Sequence, residues 1–308
     1  MNIKGFARNI KMQITELTRK FYKSYCLVNL KPSTCNGYHV NIENHIIPNV
    51  GKIDADKLTV DDVDELVEVL MGKGLSRRSV RYVLAVLRKA FEFGLKRGYV
   101  QRNIITVCDA PVPARYNHVV WSDEEVARAL ICVRSCNFDQ EYILPAVLLS
   151  LHYGLRRGEV LGLKWSDFSK GSFKVCRTMT YINNKFVVTT PKNGKFRSIM
   201  LAKSDYDYLL SFHRRTVANK DGYLIRKSDG TSPTQLSVIF KKFIRVNKLT
   251  DIRYHDLRHT YATYMLRHGV HPKIVSSVLG HSSIDITLDL YSHADISMQA
   301  ACLEVFGG

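Results

Sequence analysis

LHYGLRRGEVLGLKW, residues 151–165, places two adjacent arginines and a glutamate between Gly154 and an apolar run of Val160, Leu161 and Leu163. Cations are rarely set against an apolar run unless an anion meets them, because burying an unpaired charge is costly. The stretch therefore asks which anion the chain holds there.

The composition narrows the answer. At 308 residues the chain is long enough for two domains, and its 45% hydrophobic and 24% charged content is that of an ordinary globular protein. Its net charge of +17 is not ordinary. Before residue 117 there are 19 basic against 11 acidic residues, and after it 26 against 17, so both halves carry the excess. A polyanion touching both halves is the simplest partner, and nucleic acid is the usual one. No apolar run approaches the roughly twenty residues that span a bilayer. The opening MNIKGFARNIKMQ has no apolar h-region and no small-residue cleavage site, which argues against secretion. Seven scattered cysteines without a Cys-x-x-Cys pair fit reduced thiols in a cytoplasm.

Residues 12–28 and 33–47 read as helices, the second stopped near Pro48. Thr59 with Asp62 opens a third, and Ser76 to Arg97 a longer fourth. On the fourth, Val80, Val83, Leu84, Leu87, Ala90 and Phe91 form an apolar stripe at spacings of three and four. Arg77, Arg81 and Arg88 fall opposite, on a face that is either solvated or aimed at phosphates. The segment CDAPVPARYNHVV then breaks the helical pattern with Pro111 and Pro113, placing a boundary at roughly residues 110–120. Ser122 with Glu125 restarts helix. Beyond it the chain reads as helical with one β insertion, SFKVCRTMTYI, KFVVTT and FRSIML, in which Asn193-Gly194 signals a hairpin. Helices are expected again over 203–218, 232–247, 256–268, 272–279 and about 284–292.

In YHDLRHTYATYMLRHG, residues 254–269, His255 and Arg258 share a helix face. His255 and His259 are four apart, as in a zinc helix, but Asp256 stands where a metalloprotease needs Glu, and Arg258 would face the dication from the same turn. The metal reading is poor. His281 follows Leu-Gly at the end of one helix, and Tyr291 lies ten residues on. Each signal is weak alone.

Their order is not. Arginine with glutamate three residues later, lysine in a β-hairpin, His-x-x-Arg, Gly-His and a late tyrosine resemble the tyrosine recombinases, in their phage and conjugative-transposon integrase branch. The resemblance covers essentially the whole chain. It implies a mainly α fold with a small antiparallel β-sheet insertion: a helical, SAM-like core-DNA-binding domain over 1–114 and an α+β catalytic domain over 115–308. It implies catalytic roles for Arg156, Lys192, His255, Arg258 and His281, with Glu159 in support and Tyr291 as nucleophile. Lys192 matches because it precedes Arg197 by the family's usual interval. Arg157 is the rival to Arg156 and is expected to face solvent or backbone phosphate. Tyr153 stands where the family usually has a small residue or Thr, and is expected to crowd the first arginine's turn. The interval from His281 to Tyr291 is one longer than in many chromosome-dimer-resolving relatives. Nothing before residue 12 would form an arm-binding domain, so the chain reads as a naturally short member or a truncated one.

The implied reaction is site-specific recombination of DNA, cutting and rejoining strands through a 3′-phosphotyrosyl intermediate with no metal, nucleotide or other cofactor. Two guanidinium forks suit a phosphorane's extra charge on the non-bridging oxygens. A phenol with pKa near 10 needs a base, which His255 supplies, while Lys192 protonates the departing 5′ oxygen and Tyr254 is the neighbouring alternative nucleophile. Implied partners are double-stranded DNA, a tetramer on synapsed DNA formed through the C-terminal tail, and an accessory directionality factor, in the cytoplasm with the nucleoid and without a membrane. In that tail, ADISMQAACLEVFGG, Ile296, Ala300, Leu303, Val305 and Phe306 form a segment too short to bury its apolar side chains alone. Two rivals remain. A type IB topoisomerase shares the chemistry and religates the same strand; a DNA-binding regulator would carry a vestigial site, which retention of every polar position disfavours.

Overall fold

The computed structural model describes residues 11–114, 118–135, 138, 140–183, 185–191, 194, 196–215, 222–225, 233–281 and 283–284. The chain divides into two compact units, residues 1–116 and 117–308.

The first unit is helical. Helix α1 (Ile14–Phe21) runs through a π-helical turn, Tyr22–Cys26, into α2 (Leu27–Asn29). Helix α3 (Pro32–Asn41) likewise passes through a π turn, Ile42–Ile46, into α4 (Ile47–Val50). Pro48 therefore does not stop the helix where the sequence suggested. The wider turn ahead of it accommodates a ring that would break an α-helical ladder. Helix α5 (Val60–Gly72) starts on the Thr59–Asp62 box, whose two reciprocal bonds measure 2.9 and 3.2 Å. Helix α6 (Arg77–Lys96) buries the whole stripe from Val80 to Phe91 against Ile14, Leu17 and Phe21.

The second unit is built round one apolar rod. Trp121, 1% exposed, pins its start: the indole Nε1 donates to the Thr250 carbonyl at 2.9 Å, and its backbone N–H donates to Thr260 Oγ1. Helix α7 (Asp123–Arg134) begins on the Ser122–Glu125 box. Helix α8 (Leu144–Tyr153) is buried along almost its whole length, as a helix apolar on every side must be. It ends at Gly154, which caps it in the left-handed conformation at φ +63°. A Cβ there would come within 2.4 Å of Leu279 and 2.6 Å of Tyr261, so the turn closes only with glycine. Short helix α9 (Arg157–Gly162) follows at once.

The β insertion differs from the single array read in the sequence. Strands β1 (Phe168–Ser169), β2 (Ser172–Val175) and β5 (Arg197–Met200) form one antiparallel sheet in the order β1-β2-β5, and β3 (Thr178–Ile182) with β4 (Lys185–Thr189) forms a separate hairpin. Val175 pairs with Arg197 and Phe173 with Ile199, so β5 returns to β2 rather than to β4. Arg177 sits at the break, where its Nη2 donates to both oxygens of Asp167 at 2.6 Å and its Nε to the Gly162 carbonyl, holding the chain that leaves the ladder after Val175. Strands β4 and β5, which flank the Asn193-Gly194 signal, pair with β3 and β2 respectively, while Asn193 lies outside the described residues. Helices α10 (Lys203–Arg215), α11 (Pro233–Val246), α12 (Asp256–Arg267) and α13 (Pro272–Leu279) complete the described unit.

Candidate active site

The turn from α8 to α9, the first turn of α12, the end of α13 and strand β5 deliver their polar groups to one another. Arg156 stands at the N-terminus of α9, where its backbone N–H donates to Glu159 Oε2 at 3.0 Å. Its Nη1 donates to Glu159 Oε1 and to the Leu279 carbonyl, and its Nη2 to the Gly280 carbonyl, at 3.0 to 3.2 Å. That leaves Nε and one Nη2 hydrogen without an acceptor among the described residues. Arg157 is exposed and donates to Ser237 Oγ at 2.8 Å. The two adjacent arginines thus differ in burial and in partners, Arg156 being half-buried on Glu159 and Arg157 exposed beside Ser237.

Arg258 is only 4% exposed. Its Nη1 donates to the Gly154 carbonyl at 2.8 Å, while Nη2 is buried with no acceptor among the described residues. Burial, with the Arg156 charge second, lowers its pKa to about 9. Glu159, 1% exposed, is the acid these cations surround. Burial alone would raise its carboxyl, but hydrogen bonds from Arg197 and the charges of Arg197 and Arg156 hold it at about 2. Three guanidinium groups against one carboxylate leave an excess of positive charge at the site, which an incoming anion would relieve.

The histidines respond to the same field. Desolvation and then the charges of Arg258 and Arg156 lower His255 below its ordinary value and bring His281 to about 4. His259 falls to about 3 through desolvation and its neighbour His118. All three rings are neutral at pH 7. In the unfolded chain they protonate near 6.5, so between that value and about 4 the unfolded state binds more protons than the native one. Without DNA, stability is expected to be full above pH 6.5 and to decline as the pH falls through this window. Denaturant midpoints at pH 7, 6 and 5 check it, and identical midpoints would contradict the depressed histidines.

His118, Asp256 and His259 have ligand atoms within 4.8 Å of one another. This group makes a poor cation site. Both Asp256 oxygens already accept from Arg253, at 2.9 and 3.0 Å, and the His118 and His259 rings stack at 3.8 Å, which keeps their lone pairs from converging.

Several expectations change. Tyr153 does not crowd the arginine turn: its hydroxyl donates to Asp205 Oδ2 at 2.7 Å and accepts from the Ala202 N–H, on a side of α8 that faces the insertion. Asp205 is fully buried, and Arg134 and His152 also bond it. Burial would raise its carboxyl, yet the hydrogen bonds from His152, Tyr153 and Arg134 hold it at about 2. Tyr254 is buried with its hydroxyl bonded to Ser150 and the Ala146 carbonyl, and burial pushes its pKa up, so it is unsuited to be an alternative nucleophile. Arg77 and Arg81 are exposed on α6, but Arg88 is half-buried and its Nη2 donates to the Ile105 carbonyl at 3.0 Å. That bond closes the end of the first unit and removes Arg88 from the open face. Lys192 and Tyr291 lie outside the described residues. Arg197, used in the sequence only to place Lys192, proves to be a principal partner of Glu159.

A helical unit followed by a unit that gathers these arginines and histidines defines a tyrosine recombinase, and the chain belongs to the phage integrase family, whose model matches residues 122–298. The SAM-like N-terminal domain of phage integrases matches residues 11–71. Among its relatives, the ICEBs1 integrase of Bacillus subtilis (strain 168) is 26% identical over 287 residues, 88% of this chain and 77% of that one. A tyrosine recombinase XerC of Staphylococcus saprophyticus is 25% identical over 269 residues, 84% of this chain and 86% of its own. In fold, the Tn1549 transposon integrase (residues 82–397) in complex with a circular intermediate DNA superposes with a TM-score of 0.79 at 20% identity, covering 95% of this chain and 99% of that one. A lambda integrase tetramer bound to a Holliday junction gives 0.72 at 16%, covering 92% and 78%. The chain is a site-specific recombinase of the integrase type. Among the described residues, no helix is long and apolar enough to cross a membrane.

Proposed function

We propose that Arg156 and Arg258 hold the scissile phosphate of double-stranded DNA while Tyr291 attacks it. The buried Nη2 of Arg258, without an acceptor among the described residues, is the observation that carries this reading. A buried donor without a partner is costly, and a non-bridging phosphate oxygen is the acceptor it suits. Arg156 adds the Nε and Nη2 hydrogens that have no acceptor among the described residues. His255, neutral at pH 7 because of its surroundings, takes the phenolic proton, and neutral His281 donates to a non-bridging oxygen. The Tyr291 oxygen bonds to phosphorus as the bond to the 5′ oxygen breaks, and Lys192 gives that oxygen its proton. A partner strand's 5′-hydroxyl reverses the step, so no outside energy source is consumed.

The test is a nicked duplex carrying the repeated attachment core beside the protein's own gene. Covalent complex is expected to form in excess EDTA at the rate seen without it, because fixed guanidinium groups supply the electrostatic stabilisation. Loss of capture that returns only with added divalent ion would overturn the mechanism.

We assign the 1–114 segment to core-DNA binding, with Arg77 and Arg81 reaching phosphates, and 115–308 to catalysis. The net positive charge of both halves supports this division. The solved relatives named above bind DNA, one as a tetramer on a Holliday junction, which supports a tetramer of this chain on synapsed DNA. The tail, which lies outside the described residues, would join protomers, an accessory factor would set direction, and the setting would be the nucleoid. Deleting residues 295–308 should then leave melting temperature and single-site binding unchanged while recombination falls steeply. A large loss of melting temperature without DNA would instead make the tail part of its own core.

A further inference from the structure

Three successive carbonyls close helix α13, those of Val278, Leu279 and Gly280, and two arginines divide them. Arg156 takes the last two, and Arg197 Nε takes Val278 at 2.7 Å. The side chain of Arg197 is 13% exposed, and its other two nitrogens close on the carboxylate of Glu159, Nη1 on Oε1 at 3.0 Å and Nη2 on Oε2 at 2.8 Å. Gly280 sits against it at φ +63°, where a Cβ would lie 3.1 Å from Arg197 Nη1.

A carboxylate this buried must be fully satisfied. Arg197 covers both of its oxygens, so Arg156 needs to give Glu159 only Nη1 and its backbone N–H. Without Arg197, the nearest fork able to fill the carboxylate would be that of Arg156 itself, and a bidentate pair between them would consume the hydrogens now available to substrate. Arg197 also fixes the turn directly before His281.

We propose that Arg197 is a positioning residue for strand cleavage: by satisfying Glu159 and the Val278 carbonyl together, it keeps the phosphate-facing edge of Arg156 open and His281 in place. This rests on Arg156 contacting the scissile phosphate. Lysine could keep the charge but not three directed bonds.

The experiment compares wild type, Arg197→Gln and Arg197→Lys on the nicked duplex described above, with either a normal scissile phosphate or a methylphosphonate that lacks the negative oxygen. Misaiming one guanidinium is expected to slow covalent capture on phosphate about 10- to 100-fold in both variants, with DNA affinity within about threefold of wild type. On the neutral methylphosphonate the gap should close to about threefold, since the charge that Arg156 meets is gone. The ratio of rates on the two substrates cancels any change in the fraction of folded protein. An equal deficit on both substrates would make Arg197 a merely structural residue and overturn the proposal, as would wild-type capture on phosphate. Arg156→Ala, run in parallel, separates the two ideas. If it cuts phosphate like wild type, the reading of Arg156 fails; if it is inactive while Arg197→Gln is normal, only the positioning role fails.

Discussion

Arg258→Lys is expected to slow strand cleavage by about 10²- to 10³-fold while DNA affinity changes little. The guanidinium has two directed edges in a buried position: Nη1 holds the Gly154 carbonyl, and Nη2, without an acceptor among the described residues, is the edge proposed to meet the substrate phosphate. An ammonium group cannot do both. It also deprotonates more readily, and the surroundings that bring this arginine down to about 9 would act on lysine from a lower starting point. The lysine variant should therefore recover part of its activity as the pH falls toward neutrality, a trend that wild type should show only at the upper end of the range, near the lowered pKa of Arg258. Initial rates of covalent capture from pH 7 to 9 measure both effects. A variant within about threefold of wild type across that range would remove Arg258 from the phosphate site.

Tyr291→Phe is expected to abolish covalent capture altogether. Only the hydroxyl is lost, and the positive charge that drives binding is untouched, so retardation of a cognate duplex should match wild type. The nearest alternative phenol in the sequence motifs, Tyr254, is sealed in the core with its hydroxyl bonded to Ser150 and Ala146, so it offers no substitute. A denaturant-resistant complex formed by the phenylalanine variant at wild-type efficiency would move the nucleophile elsewhere.

The local features were legible in the sequence, and the long-range ones were not. Both capping boxes, at Thr59 and at Ser122, are bonds between residues three apart, so their signature lies within one turn of chain. The apolar stripe of α6 is read by spacing alone. By contrast, the break in the β insertion falls where Arg177 is bonded to Asp167 ten residues back, and nothing in SFKVCRTMTYI itself signals it. Pro48 misled because a change of helical register compensates for it. At the site, the arginines and histidines were legible because their order resembles a family. Arg197 was not, since its partner Glu159 is 38 positions away and no motif joins them. Tyr153 was noticed as unusual but its role was missed, because Asp205 is 52 positions distant. Arg88 shares the exposed face of Arg77 and Arg81 by periodicity, yet a carbonyl from beyond the helix claims its guanidinium.

The burial of Trp121 has a practical side. The chain contains two tryptophans, Trp121 and Trp165, and both follow residue 117. Tryptophan emission, excited at wavelengths where tyrosine does not absorb, therefore reports on the second unit alone, and Trp121, packed against Phe240 and anchored to Thr250 and Thr260, is a fluorophore next to the helix that carries Arg258. Far-ultraviolet ellipticity, by contrast, sums the helices of both units. The two signals recorded during one titration distinguish a molecule that melts as a whole from one whose halves come apart in sequence, with no label and no change to the chain.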